Sequence, residues 1–189
     1  DKYRVPRIAF INKMDRVGAD FHGAVDQIRE KLGAQPLILH LPWGREETFQ
    51  GTIDLIHMQA VTWREDTLGY EMEYRPIPEE FREEANLFRE KILETLSDLD
   101  ESLLERYLGG EPIEAGHLQP AIRQGTIDLK IVPVFCGASL RNLAPVPAFA
   151  PLTWPAAWPR WQAWAPAVGG PFDGSARADW SAGTASRDA

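Results

Sequence analysis

The sequence predicts an α/β fold in which part of a parallel sheet, its C-terminal half, is interrupted by an inserted α+β subdomain. Two short apolar runs carry this prediction, at residues 8–11 and 130–135. Each is typical of a buried parallel strand, and each is followed by a loop of polar or small residues. We therefore expect four segments: a first part of the sheet at 1–35, the insertion at 36–128, a return to the sheet at 129–142, and a tail at 143–189.

A helix is expected directly after the first run and its polar loop. Apolar residues recur there at helical spacing, at Phe21, Ala24, Val25, Ile28 and Leu32. Asp20 is a suitable N-terminal cap, and Gly33 fits the C-terminal end because glycine adopts the left-handed conformation at little cost. A strand, a polar loop and a helix in this order form half of a βαβ unit, and such units bind ligands at the carboxyl ends of their strands.

The insertion is expected to begin with strands and to continue with helices. Strand-like runs lie at 37–41, 52–56, 60–63 and 70–74. Pro76 and Pro78 precede an acidic first turn at Glu79 and Glu80, which predicts the start of a long helix. Two further helices are expected near 101–108 and around 117–124.

The polar loop after the first apolar run matches the Asn-Lys-X-Asp pattern of GTPases, as Asn12-Lys13-Met14-Asp15. Guanine presents an N1–H and a 2-amino group side by side, and the single carboxylate of Asp15 can accept both hydrogen bonds. Adenine lacks these donors, so its entry would leave a desolvated carboxylate unpaired. Asn12 can donate to the purine N7 and brace the neighbouring loop, and the stem of Lys13 can lie along the face of the base. The alternative is a solvated turn that caps the following helix.

The loop after the second apolar run consists of small residues, Gly137-Ala138-Ser139. Small residues allow a backbone N–H to approach the guanine O6 closely, and the alternative is an ordinary turn at the end of a strand. We expect the nucleotide site to comprise Asn12, Lys13, Met14, Asp15, Gly137, Ala138 and Ser139. Cys136 is expected to be a small buried residue and not a nucleophile, because no histidine has an evident structural relation to it.

Composition and charge limit the classes of function. The net charge is −8 and all of it lies in residues 1–142, so the chain is a poor candidate for gripping a nucleic-acid backbone unaided. The single cysteine excludes a disulfide within the chain and favours a reducing compartment. The four histidines lie outside metal-ligand spacing of one another and of the cysteine, so no metal site is expected.

Around the two loops the sequence resembles translation elongation factor G, a family of ribosome-dependent P-loop GTPases. The resemblance extends over residues 1–142 and is carried by residues 5–16, 107–110, 122–127 and 130–137. Residues 36–128 are similar to the family's inserted subdomain. The family usually has Gly-Ser-Ala where this chain has Gly137-Ala138-Ser139. Because the implied contact comes from the backbone, we expect this exchange to be tolerated.

The resemblance implies a function for an intact parent protein. The parent would bind GTP or GDP with Mg²⁺ and would use GTP hydrolysis to move tRNA and mRNA through the ribosome. Its partners would be ribosomal RNA and the acidic stalk protein of the large subunit, with the stalk contacted by the inserted subdomain. We expect a cytoplasmic monomer without a membrane span, and an organellar relative is the alternative.

Part of that machinery is missing from this chain. It contains no Gly-x-x-x-x-Gly-Lys-[Ser/Thr] loop, on which the phosphate cradle and Mg²⁺ depend, and it begins at Asp1 without a Met. We therefore expect a fragment that reads the base, holds no catalytic residue or metal ligand, and is inactive alone. The alternatives are a non-enzymatic module that binds the ribosomal stalk and a non-functional product of a disrupted gene.

The tail at 143–189 differs from the rest of the chain. It holds 7 of the 15 prolines and 5 of the 7 tryptophans, and its prolines forbid a continuous helix or membrane span. We expect it to be disordered and to result from an altered reading frame. The codons of residues 146–150, read one nucleotide later, can spell Phe-Gln-Pro-Leu-Leu, which contains the Gln-Pro-Leu-Leu helix start that the resemblance requires. The alternative is a segment that binds a partner.

Overall fold

The structure, a computed structural model, describes residues 3–63 and 72–139 and confirms the predicted α/β class. In chain order the elements are β1 (Ala9–Ile11), α1 (Phe21–Leu32), β2 (Pro36–Ile38), β3 (His40–Trp43), a 3₁₀ helix (Glu46–Thr48), β4 (Gly51–Asp54), β5 (Gln59–Trp63), β6 (Met72–Arg75), α2 (Glu79–Ser97), α3 (Glu101–Leu108), α4 (Ala115–Ile127) and β7 (Val132–Cys136). The tail at 143–189, for which disorder and an altered reading frame were predicted, lies outside the described residues.

The described strands form two sheets. One is parallel, in the order β1-β7-β2, and the other is antiparallel, in the order β3-β4-β5-β6. The strand predicted as one run at 37–41 is divided between them, because β2 pairs with β7 whereas β3 pairs with β4. The parallel sheet therefore extends beyond residue 35, and its third strand comes from the start of the predicted insertion.

Leu39 is the residue at which the chain passes from one sheet to the other. Its N–H donates to the carbonyl oxygen of Val134 in β7 at 3.0 Å, and its own carbonyl oxygen accepts from the N–H of Leu55 at 3.0 Å. The peptide unit before Leu39 is thus bonded to the parallel sheet, and the peptide unit after Leu39 is bonded to the antiparallel side. Since its side chain is also fully buried, this residue fixes the antiparallel sheet to the parallel one.

The prediction that the run at 8–11 forms a buried strand is wrong in one respect. β1 does pair with β7 in parallel, but its three residues are only half-buried. The physical reason is its position, because among the described residues β7 is the neighbour on one side and the other edge of β1 is open. An apolar strand with an open edge is a surface that a further strand or chain can cover.

Helix signals in the sequence are confirmed more closely than strand signals. Asp20 caps α1 by accepting a hydrogen bond from Gly23 N at 2.9 Å, and Gly33 ends it with φ of 58°. α2 begins at Glu79 and α3 spans the predicted residues, whereas α4 is longer than the predicted 117–124. β4, β5 and β6 are each displaced by one or two residues from the predicted runs, and residues 70 and 71 lie outside the described part of the chain.

One hydrophobic core joins the parallel sheet to the insertion. Its fully buried members come from both, among them Phe135, Leu39, Ile53, Ile92, Leu118 and Ile122. Helix α2 contributes Ile92 and packs near β2, and helix α4 packs near β7. The inserted elements therefore share their core with the strands that position the two loops. Because the core is close-packed, a substitution in the core of one part alters the packing of the other.

A buried histidine lies at the crossing between the sheets. The side chain of His40 is 1% exposed, and neither ring nitrogen has a hydrogen-bond partner among the described residues. Burial lowers the pKa of His40 to about 4, although Asp54, whose Oδ1 is 4.0 Å from His40 Nε2, opposes that shift. Asp54 is itself held by His57, whose Nδ1 lies 2.7 Å from Oδ2, and this hydrogen bond raises the pKa of His57.

His40 should make stability fall in mild acid. The folded state keeps this ring neutral down to about pH 4, whereas the unfolded chain takes up a proton near the ordinary histidine pKa of 6.5. Folding therefore loses about 2 kcal/mol from this group between pH 7 and pH 5. We expect His40→Leu, which removes two unpaired nitrogens, to raise the free energy of unfolding by about 1 to 3 kcal/mol at pH 7 and to reduce its loss at pH 5. Urea unfolding at both pH values measures this.

His57→Gln is the control, because the contribution of His57 to stability changes with pH in the direction opposite to that of His40. The raised pKa of His57 stabilises the folded state below the unfolded pKa, and that contribution is lost as pH rises through the folded pKa. Removing the His57 imidazole should therefore lower the free energy of unfolding most in acid and least in base. A His40→Leu variant that loses as much stability between pH 7 and pH 5 as the parent would contradict the assignment.

Candidate nucleotide-binding site

Parallel pairing of β1 with β7 places the two predicted loops side by side. Ile11 is in register with Cys136, so both strands end at the same edge of the sheet. Backbone hydrogen bonds continue beyond the strands, from Gly137 N to the Ile11 oxygen at 3.1 Å and from Met14 N to the Gly137 oxygen at 3.1 Å. The loops that begin at Asn12 and at Gly137 are thus bonded to each other at the carboxyl edge, where α/β sheets bind ligands.

The Asn12 side chain braces the second loop, as predicted. Its Oδ1 accepts hydrogen bonds from the backbone N–H of Ser139 at 3.1 Å, from the Ser139 hydroxyl at 3.0 Å and from the Lys13 N–H at 2.8 Å. Because two of these partners are N–H donors, the oxygen must face them, which fixes the orientation of the amide. Asn12 is exposed, and none of these three hydrogen bonds uses its NH₂ group, so that group is able to donate to a ligand.

The remaining predicted residues divide into exposed and buried groups. Lys13 is exposed and has a left-handed backbone with φ of 65°, and the Asp15 side chain is half-buried. Met14 is 2% exposed and belongs to the hydrophobic core, so its side chain anchors the loop. In the second loop Ala138 is buried and Ser139 is exposed.

Cys136 lies directly before the second loop and is fully buried, as predicted. Burial raises the pKa of its thiol well above the ordinary value. The sulfur lies 3.7 Å from the backbone oxygen of His40, to which the thiol can donate. A buried, protonated thiol packs as a small apolar group, so this cysteine has the environment of a structural residue.

One contact to the first loop comes from a residue that the sequence analysis does not single out. Glu46, in the 3₁₀ helix between β3 and β4, donates its backbone N–H to the Met14 oxygen at 3.0 Å. Its carboxylate accepts from the Gly18 N–H at 2.8 Å. No local pattern could reveal this contact, because it joins positions 28 residues apart and depends on how the antiparallel sheet packs.

Chemically, the site combines one carboxylate, one amide NH₂ group and backbone N–H groups at one edge of a sheet. This set can accept two adjacent donors of a ligand at Asp15 and donate to acceptors nearby through Asn12 and the second loop. Among residues 3–63 and 72–139 no group of three or more His, Cys, Asp or Glu side chains is arranged to hold a metal ion.

The three-stranded parallel sheet and its two bonded loops belong to an α/β domain. A family model described as the elongation factor Tu GTP binding domain matches residues 1–153. The chain belongs to this family. None of the helices in the described part of the chain has the length and apolarity needed to cross a membrane.

A solved structure supports the same fold. The chain is 27% identical to a protein of Thermus thermophilus whose crystal structure is known, with a TM-score of 0.67. The match covers 82% of this chain and 23% of that protein, so the chain spans less than a quarter of its length.

The two roles of the Asn12 amide can be separated by substitution. Asn12→Ala removes the oxygen that Ser139 donates to, so we expect exchange of the Ser139 amide proton to become about tenfold faster. Asn12→Asp keeps the acceptor and should preserve that protection, while it removes the NH₂ donor. Hydrogen exchange followed by NMR measures both.

Gln124→Ala serves as the control, because Gln124 is exposed on α4 and bonds to Asp128 away from the loops. Unchanged protection of Ser139 in Asn12→Ala would show that the bracing contact is absent in solution.

Proposed function

We propose that this chain reads the guanine base in a GTP-binding translation factor similar to elongation factor G. The observation that carries the proposal is the arrangement of the first loop, in which Asp15 presents a carboxylate while Asn12 is oriented by Ser139 so that its NH₂ group remains available. Membership of the elongation factor Tu GTP-binding domain family supports a guanine nucleotide as the ligand.

The predicted residues include Met14 and Gly137, whose backbone hydrogen bond joins the two loops, and five others that contact the base or hold a group that does so in this proposal. Asp15 accepts the N1–H and the 2-amino group of guanine, and Asn12 donates to N7. Lys13 is exposed, so its stem can lie along the face of the base. The N–H of Ser139 is already bonded to Asn12, which makes the neighbouring N–H of Ala138 the donor to O6 in this proposal.

The intact protein in this proposal is a translational GTPase that hydrolyses GTP and drives translocation on the ribosome. The groups that hold the phosphates and Mg²⁺ would then come from residues outside this chain, which we interpret as one part of a longer protein. This is consistent with the small share of the Thermus thermophilus protein that the chain covers. The proposed division into sheet, insertion and return moves the start of the insertion from residue 36 to the end of β2, because β2 pairs with β7.

Contact with the ribosomal stalk belongs to the same proposal and would use the insertion. Exposed carboxylates are concentrated on α2 and α3, at Glu79, Glu80, Glu83, Glu90, Glu94, Glu101 and Glu105. A surface of this charge favours a partner that presents basic groups and repels an acidic one. Contact with the acidic stalk would therefore have to use a part of the insertion other than this acidic face.

Replacing the carboxylate of Asp15 by an amide should change the preferred base from guanine to xanthine. Xanthine carries a carbonyl where guanine has its 2-amino group, so the Asp15→Asn amide can accept from N1–H and donate to that carbonyl. We expect the parent chain to prefer guanosine over xanthosine and adenosine by about tenfold or more, and Asp15→Asn to prefer xanthosine. Saturation-transfer NMR at millimolar nucleoside suits the weak binding expected without phosphate contacts.

Asp26→Asn is the matched control, because Asp26 is exposed on α1 and pairs with Arg29. It should leave the preference for guanosine unchanged. Equal saturation transfer to guanosine and adenosine in the parent chain, or the same preference in Asp15→Asn as in the parent, would overturn the proposed function.

A further inference from the structure

Glu46 is bonded to both sides of the segment that carries Asp15. Its backbone N–H holds the Met14 oxygen at 3.0 Å, and its Oε1 accepts from the Gly18 N–H at 2.8 Å. Asp15 lies between these two attachment points in the chain. We propose that Glu46 is a positioning residue for guanine recognition, through which the insertion holds the Asp15 carboxylate in the place where the base arrives. This inference rests on the proposed function of the same loop.

The backbone around Glu46 is held in an uncommon shape. Glu46 has φ of 52°, a left-handed conformation that costs a non-glycine residue about 1 kcal/mol or more. Gly44 has φ of 86°, and a Cβ on it would lie 2.1 Å from the Thr48 oxygen, so only glycine fits this turn. Such a conformation persists where its surroundings determine it, and here it directs both the N–H and the carboxylate of Glu46 toward the loop.

Met14 links Glu46 to the second loop through its own backbone hydrogen bonds. Its carbonyl oxygen accepts from Glu46, its N–H donates to Gly137 at 3.1 Å, and its side chain is buried in the core. The two peptide units that flank Met14 therefore join the insertion, the first loop and the second loop. The loop next to Asp15 cannot shift without breaking one of these hydrogen bonds or moving a core side chain.

The size of the effect follows from the bond that is lost. A hydrogen bond between a carboxylate and a backbone N–H contributes about tenfold or more to an equilibrium when it holds a segment in one conformation. Without it, the segment between Met14 and Gly18 samples positions in which Asp15 pairs with one donor of guanine and not with both. We expect Glu46→Ala to weaken guanosine binding by about tenfold and to speed exchange of the Gly18 amide proton by a similar factor.

Three variants and one control test this proposal. Glu46→Gln keeps an oxygen that can accept from Gly18, so it should restore both slow exchange and guanosine binding. Glu46→Asp tolerates the left-handed backbone better but falls one methylene short of Gly18, so it should behave like Glu46→Ala and provides a second test if the alanine variant unfolds. Glu47→Ala changes the exposed neighbour in the same 3₁₀ helix and should have no effect.

The two readouts separate this proposal from the proposed function. Hydrogen exchange of Gly18 needs no nucleotide, and saturation transfer from guanosine reports the base. Faster Gly18 exchange with unchanged guanosine binding in Glu46→Ala and Glu46→Asp overturns the positioning role and leaves base reading by Asp15 intact. Unchanged exchange in both variants, or no rescue by Glu46→Gln, also overturns it. Guanosine binding that is absent from the parent chain overturns the proposed function and this inference with it.

Discussion

The parallel register of Ile11 with Cys136 is the constraint on which the site depends. It brings together two loops whose contacting residues, Asn12 and Ser139, are 127 positions apart in the sequence. Bringing such distant positions together lowers the entropy of the chain. That entropy is lost when the sheet forms during folding, and not when a ligand binds. The hydrogen bond between Asn12 and Ser139 is then made between groups already in place, and a site organised in this way loses less free energy on binding.

A second constraint is the way in which one stretch of chain serves both sheets. The peptide units on either side of Leu39 bond to Val134 on the parallel side and to Leu55 on the antiparallel side. This continuity fixes where the connection from β3 to β4 emerges, and therefore where Glu46 meets the first loop. It also places His40 in a buried position with two unpaired ring nitrogens, and burying them lowers the stability of the folded state. The backbone hydrogen bonds of the junction and the shared hydrophobic core offset this loss.

Local chemistry explains which parts of the structure the sequence predicts. Asp20 and Gly33 mark the ends of α1 because capping depends on the nearest residues, and Asn12 could be expected to brace a neighbouring loop because strand ends of a parallel sheet meet at one edge. The division at Leu39 has no local signal, since an apolar run looks the same in either sheet. The half-buried state of β1 and the contact of Glu46 with Gly18 depend on neighbours distant in sequence, which a reading of local patterns does not supply.

The exposure of Asp15 determines how a site of this kind achieves specificity. A deeply buried carboxylate rejects the wrong base because an unpaired charge in a dry pocket is costly, whereas Asp15 is only half-buried and water can compensate part of that cost. In the proposed function, discrimination then depends on geometry, since only a carboxylate held in one place accepts two adjacent donors together. In our proposal every hydrogen bond that fixes the loop, from Met14 to Gly137 and from Gly18 to Glu46, therefore contributes to the choice of base although none of these groups touches it.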